Sequence, residues 1–303
     1  MTHLDPPPAR PVAGILWMLF TGLCFVAVTA LVKFLGPRIP APEAAFLRYS
    51  LGLVFLLPML RPMLNTTFTP RRWGLFALRG LLHAGGVMLW FFAMTQIPLA
   101  ELTALNYLSP VFVTIGAALF LGESLAIRRI AAIAVALLGA IIILRPGFRE
   151  VGPGHLAMIG TATVFGGSYL LAKVLADEMS PSVVVGMLSI WVTVGLAPFA
   201  LMAWVTPTLH ELAILFAVAC FATTGHFTMT LALRAAPIMV TQPVTFLQLV
   251  WAMALGAVVF GEALDVWVIV GGGLILGAIS FITWREAVVR RRSITPTTPA
   301  TKV

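Results

Sequence analysis

The sequence predicts an all-α integral membrane protein with ten transmembrane helices arranged as two inverted five-helix repeats. Three observations lead there. Of 303 residues, 60% are hydrophobic and only 10% charged, with a mean hydropathy of +1.02, whereas about a quarter of a soluble domain is charged. Apolar segments of crossing length follow one another from Val12 to Trp284, parted by short charged or Pro-rich joints. A hydrocarbon core about 30 Å thick takes roughly 20 apolar residues per helix. Finally, the second half of the chain echoes the first. No segment alternates as a strand does, so a β-barrel is excluded. The first apolar run, from Val12 to Leu35, is too long for a signal peptide and is read as a retained helix.

The crossings fall at about 12–34, 43–60, 73–95, 98–121, 127–145, 154–176, 182–205, 211–233, 238–260 and 265–284. The third and fourth meet in a tight turn at Gln96-Ile97-Pro98, and the eighth and ninth at Arg234-Ala235-Ala236-Pro237. Residues 1–11, with Pro6-Pro7-Pro8, read as a disordered cytoplasmic tail. Residues 12–148 form the first repeat, 149–286 the second, and 287–303 a cytoplasmic tail.

With the N-terminus inside, Arg10, Arg61, Arg71, Arg72, Arg128, Arg129, Lys173, Arg234, Arg285, Arg290, Arg291, Arg292 and Lys302 fall on the cytoplasmic side. Only Lys33, Arg38, Arg145 and Arg149 fall outside. This positive-inside bias places both termini in the cytoplasm. The net charge of +8 resides in the joints. It therefore marks topology and contact with the lipid bilayer rather than nucleic acid. Cys24 and Cys220 lie in apolar stretches as small buried side chains.

A shift of 140 carries Gly14, Leu16, Met18 and Lys33 onto Gly154, Leu156, Met158 and Lys173. A shift of 139 carries Gly86, Ala93, Pro98 and Leu121-Gly122-Glu123 onto Gly225, Ala232, Pro237 and Phe260-Gly261-Glu262. Five crossings per half force the halves into opposite orientations. Such inverted repeats place a binding site near the midplane and permit alternating access.

Phe46-Leu47-Arg48, Leu78-Arg79-Gly80, Ile97-Pro98-Leu99-Ala100-Glu101, Ser109-Pro110-Val111-Phe112, Leu121-Gly122-Glu123, Arg128-Arg129 and Leu144-Arg145-Pro146-Gly147 together resemble the EamA-type branch of the drug/metabolite transporter superfamily. Ala236-Pro237 and Phe260-Gly261-Glu262 continue the pattern in the second half. The resemblance covers the chain apart from its tails. It implies an inner-membrane transporter, and proteins with this Arg, Arg and Pro-Leu-Ala-Glu pattern include importers of riboflavin-like or S-adenosylmethionine-like metabolites. The second half has Leu188 where Arg48 would fall and Met239-Val240 in place of Ala100-Glu101, so a charged site is built unequally from the two halves.

Polar groups inside the crossings are the candidate site, because a charge at the bilayer centre is costly unless solvated or paired. They are Arg48 in the second crossing, Arg79 and His83 one turn apart in the third, Glu101 at the start of the fourth, and His226 in the eighth. Two readings stand for each. Arg79 holds an anionic substrate group or snorkels to the headgroups. Arg48 does the same or pairs with Glu43 or Glu101. Glu101 exchanges a proton or forms an ion pair with Arg48. His83 relays protons or binds a neighbouring helix, and His226 lines the cavity or packs beside Gly225. Trp90, Tyr107 and Tyr169 are rings able to stack on a planar ligand, and Gln242 adds hydrogen-bonding capacity beside Pro243. Lys33 and Lys173 are expected to snorkel, while Glu123 and Glu262 are expected to form helix-end ion pairs or caps.

No catalytic constellation, Walker loop or zinc spacing is present in the sequence, so no enzyme activity and no cofactor are expected. The expected function is secondary active transport of a small polar organic metabolite, such as an amino acid, a flavin or a nucleoside-like molecule, with protons as a coupling partner and a monomer or homodimer as the unit. The alternative is a membrane-embedded enzyme or lipid-handling protein.

Overall fold

The computed structural model describes residues 11–122, 126–148, 150–176, 178–236, 241 and 243–294. The secondary structure described is helical. The helices are α1 (Pro11–Leu35), α2 (Ala41–Gly52), α3 (Leu60–Leu64), α4 (Pro70–Gln96), α5 (Leu99–Asn106), α6 (Ser109–Leu121), α7 (Ile127–Leu144), α8 (Pro153–Ala176), α9 (Pro181–Met202), α10 (Leu209–Ala235), α11 (Phe246–Phe260) and α12 (Val266–Ile294). Among the described residues nine spans are long and apolar enough to cross a membrane, and Leu247–Phe260 is a shorter apolar helix. The protein is a multi-pass helical membrane protein.

Prolines divide two of the crossings. α2 tightens into a 3₁₀ turn over Leu53–Met59, because Pro58 lacks the N–H that an α-helix would need there. One apolar run becomes α5 and α6. The ring of Pro110 opposes a helical carbonyl at Asn106, the last residue of α5. At the other end of the chain α12 continues as helix to Ile294, eight residues into the segment 287–303 read as a tail. Residues 1–10 and 295–303 lie outside the described residues.

Packing pairs elements of opposite halves. α1 packs on α10, α4 on α8, and α7 on α12. In the first seam Gly14 meets Ala236, the Thr21 and Thr228 hydroxyls lie 2.9 Å apart, and Cys24 meets Gly225, so the two helices run antiparallel. In the second, Gly154 meets Gln96, Thr161 donates to the carbonyl of Gly86, and Ser168 donates to that of Arg79. Gly14 and Thr21 are the residues that the 140-residue shift places on Gly154 and Thr161. α7 and α12 cross backbone to backbone. A methyl group on Gly139 would lie 2.6 Å from the Gly271 carbonyl oxygen, and one on Gly271 would strike that of Gly139. In lipid, where apolar burial gives helices no preference for each other, such close contact is the main source of association.

Both Gly122 and Gly261 close their helices in the left-handed conformation, with φ of 69° and 65°. Arg145 does the same at φ 44°. Pro146 follows it and disfavours a right-handed helical residue there.

Candidate functional site

Arg79 is the tenth residue of α4, about 14 Å along the helix at 1.5 Å per residue. It is only 6% exposed, so it does not snorkel. One terminal nitrogen (Nη1) donates to the Val184 carbonyl of α9 at 2.8 Å, while its Nε is buried without a partner. Among the described residues no carboxylate lies within ion-pair distance of it. A turn further on, His83 is 8% exposed. Its Nδ1 lies 3.2 Å from Ser168 Oγ of α8, and its ring stacks on Phe165 at 4.6 Å and meets Tyr169 edge-on at 6.2 Å. Gly86 makes room for this stack, since a methyl group there would strike the Phe165 ring at 2.5 Å. Tyr169 retains 41% of its surface within this otherwise buried group.

Arg48 reaches the same region from α2. It is half-buried, and its guanidinium lies 4.0 Å over the ring of Tyr49. A face-on cation–ring contact is worth about 0.5–2 kcal/mol, less than the 2.5–3.5 kcal/mol or so that a single Arg at the membrane centre costs on insertion scales. Both Arg48 and Arg79 lie within electrostatic reach of His83, and Arg48 acts on His226 as well. His226 is exposed, and its ring meets Phe25 edge-on at 5.1 Å. Phe25 and Phe165 are separated by the same 140 residues as Gly14 and Gly154, so each half presents a histidine to matched phenylalanines.

One end of the bundle has the opposite character. Lys33 pairs with Glu262 and donates to the carbonyl of Ile97 at 3.0 Å. Glu262 also accepts from the Leu99 N–H at 2.9 Å. Arg145 pairs with Asp265, and Arg38 with Glu211. Glu101 Oε2 lies 2.7 Å from His155 Nε2. Glu43 accepts from the Val205 N–H at 2.8 Å. Apart from the Lys33–Ile97 bond, each of these contacts joins residues before 149 to residues after it. Glu211 is further fixed by a capping box with Thr208, and the guanidinium of Arg38 is held by that carboxylate in its charged form, its pKa raised chiefly by the hydrogen bond.

The structure thus gathers Arg48, Arg79, His83, Tyr169 and His226, and separates the others from them. Glu101 pairs with His155 at the ion-paired end, not with Arg48, and Glu43 also turns away from Arg48. Lys33 is an ion-pair partner rather than a snorkelling anchor. Tyr107 caps α5 and donates its hydroxyl to the Thr245 carbonyl at 2.9 Å, tying the break in one proline-divided crossing to the 3₁₀ turn Pro243–Thr245 that precedes α11. Trp90 is half-buried two turns beyond His83, its indole N–H buried without a partner. Gln242 and Glu123 lie outside the described residues, as does the Lys173 side chain. Tyr49, Phe25, Phe165 and His155 were not singled out from sequence. The 140-residue spacing was available for the two phenylalanines, whereas nothing local marks His155 as the partner of Glu101. A separate cavity of about 420 Å³ beside α1, α2 and α4 is apolar apart from Thr95 and Gln96 and contains none of the cations.

A bundle of apolar crossings, assembled from corresponding seams around embedded cations and aromatic rings, belongs to the polytopic membrane proteins. The EamA-like transporter family model matches residues 12–145 and again 152–284, and the chain belongs to that family. It is 32% identical to a riboflavin transporter of Rhizobium johnstonii, over 94% of this chain and 95% of that one. It is 28% identical to an S-adenosylmethionine uptake transporter of Rickettsia bellii, over 90% and 93%. It is 27% identical to a pseudopaline exporter of Pseudomonas aeruginosa, over 88% and 94%. A crystal structure at 19% identity superposes with a TM-score of 0.60, over 91% of this chain and 99% of that one, which bears on the fold alone.

Proposed function

We propose that this protein is a secondary active transporter that moves a small polar organic metabolite across the bacterial inner membrane by alternating access. The metabolite is of the amino acid, flavin or nucleoside-like kind. Arg48, Arg79, His83, Tyr169 and His226 form the substrate site, with Trp90 and Tyr107 in its approaches. The two halves, 12–148 and 149–286, are inverted repeats that rock about this site, with both termini cytoplasmic. On this orientation the ion-paired end faces outward, and opening it requires the Lys33–Glu262, Arg38–Glu211, Arg145–Asp265 and Glu101–His155 contacts to separate. Glu101, paired with an imidazole, is the group assigned to proton exchange.

The observation that carries this reading is the pair of guanidiniums in the middle of the bundle, neither with a carboxylate opposite it among the described residues. The functions of the three relatives support a small organic solute, carried inward in one case and outward in another. Purified protein in liposomes, offered amino acids, flavins, nucleosides and S-adenosyl compounds, is expected to move one class and return it chemically unchanged. Conversion of the solute would replace transport with an enzyme. Normal uptake by well-expressed Arg79→Ala would remove Arg79 from the site. Cysteine labelling from either face is expected to find residues 33 and 173 on opposite sides, and labelling on one side would end the inverted-repeat reading.

A further inference from the structure

We propose, on the transporter reading above, that the substrate is an organic anion with a planar ring. Its acidic group lies between Arg48 and Arg79, and its ring lies among Tyr49, His83, Phe165 and Tyr169. The charge pattern of the whole chain carries this. Every Asp and Glu in the sequence falls in a joint, within the first turn of an apolar crossing, or between a chain terminus and the first or last crossing. Glu43, Glu101, Glu211, Glu262 and Asp265 are engaged at the ion-paired end, and Glu178 binds Arg71 and Arg72 at another joint. The middle therefore holds two guanidiniums and no negative charge from the described residues.

Arg79 gives the second, independent sign. Its side chain is more than nine-tenths buried, yet its Nε has no acceptor and, among the described residues, its hydrogen bond goes to a neutral carbonyl. A guanidinium presents five donors in a planar fork suited to carboxylate or phosphate. An acidic substrate supplies the missing acceptors and the missing charge together. The rings supply the shape: Arg48 already lies over Tyr49, His83 stacks on Phe165, and Tyr169, which meets both His83 and Phe165, keeps 41% of its surface. A flat π-system fits such a set of faces by offset or edge contact.

The test uses the full-length protein in lipid nanodiscs and three matched pairs of compounds. These are nicotinate with nicotinamide, indole-3-acetate with indole-3-acetamide, and riboflavin 5′-phosphate with riboflavin. Each pair shares a ring and differs in charge. The acidic member of at least one pair is expected to bind about tenfold tighter than its neutral partner, and Arg79→Gln is expected to shrink that preference to about threefold or less, read as the ratio of the two members' Kd within the variant. Arg48→Gln, at a half-exposed position, is the second variant, should Arg79→Gln fail to fold. Equal binding within every pair overturns the proposal, as does a preference that survives both substitutions or the absence of binding by any acidic member. Flux in liposomes separates this from the transporter reading. Neutral members moved independently of both arginines leave transport intact and remove the anion, whereas tight arginine-dependent binding without flux leaves the anion site and removes transport.

Discussion

The ion-paired end and the middle of the bundle handle charge in opposite ways. At the end, Lys33, Arg38 and Arg145 each face a carboxylate from the other half. In the middle, Arg48 and Arg79 face rings and a carbonyl. The end keeps part of its charged surface exposed, with the Arg38 side chain 48% accessible, and the desolvation cost of a cation is greater in the middle. Stability alone would place the counter-ions there. The comparison teaches that the end is built to hold the halves together and the middle is left incomplete. On the reading proposed above, an incomplete buried centre is costly to keep without a ligand and is completed by the substrate.

The most direct way to break this comparison is to give the middle what the end has. Ser168 is buried and touches both His83 and the Arg79 carbonyl, so Ser168→Asp places a carboxylate beside the cations. Flux is expected to fall by about 100-fold or more with the unfolding temperature kept or raised, since opposite charge nearby favours the charged forms. A large loss of folded protein with substrate flux intact would contradict it.

Next in size is Gly139→Val, which sharpens the contrast by changing no charge. Its side chain meets the Gly271 backbone, and backbone cannot yield as a flexible side chain does. Overpacking costs typically about 1–3 kcal/mol, and the upper part of that range is expected, read as a lowered midpoint in a reversible unfolding series. Gly277, with open space around it, is the control position, where Gly→Ala is expected to be near neutral.

Glu262→Gln weakens the end alone. It removes the charge that holds Lys33 and the Leu99 N–H, and hydrogen bonds to charged groups are worth about 1.5–3 kcal/mol. Part of that is expected to appear as a shift toward the state open at this end, measured as faster labelling of a cysteine introduced at Ala263 with substrate affinity unchanged. Labelling no faster than in the parent would show that the contact does not hold this end closed.

The smallest effect is at Glu178, in the joint before α9. Hydrogen bonds from Arg71 and then Arg72 hold its carboxyl below the usual carboxylate range. Its folded pKa is depressed, so its contribution is present above the unfolded pKa and is lost as pH falls through the folded one. Parent and Glu178→Gln are expected to differ slightly in unfolding temperature at pH 7 and to converge under acid conditions. The pair is solvent-accessible, and surface pairs contribute little.

Much of the fold was legible because apolar length is a one-dimensional property. The run from Pro70 to Gln96 reads as a crossing without knowledge of its neighbours. The two proline-divided crossings were read as single helices, since the hydrophobic count passes over Pro58 and Pro110 while the hydrogen-bond ladder does not. Within the candidate site, embedded Arg and His were visible as rare residues in apolar surroundings. Tyr49, Phe25 and Phe165 were not, because an aromatic residue in a membrane helix is common and only its neighbour gives it meaning.

The sequence by itself determined that the chain crosses the membrane many times, that its halves echo each other, and that Arg48 and Arg79 have to be accommodated within apolar segments. The tertiary structure decided which charge meets which. It gave Glu101 to His155, Glu262 to Lys33, and Arg48 to a tyrosine ring. The reason is geometric: a segment's transfer into lipid depends on its own composition, whereas the partner of a side chain depends on how each helix is rotated and crossed against its neighbours, which for Lys33 and Glu262 means residues 229 apart in the chain.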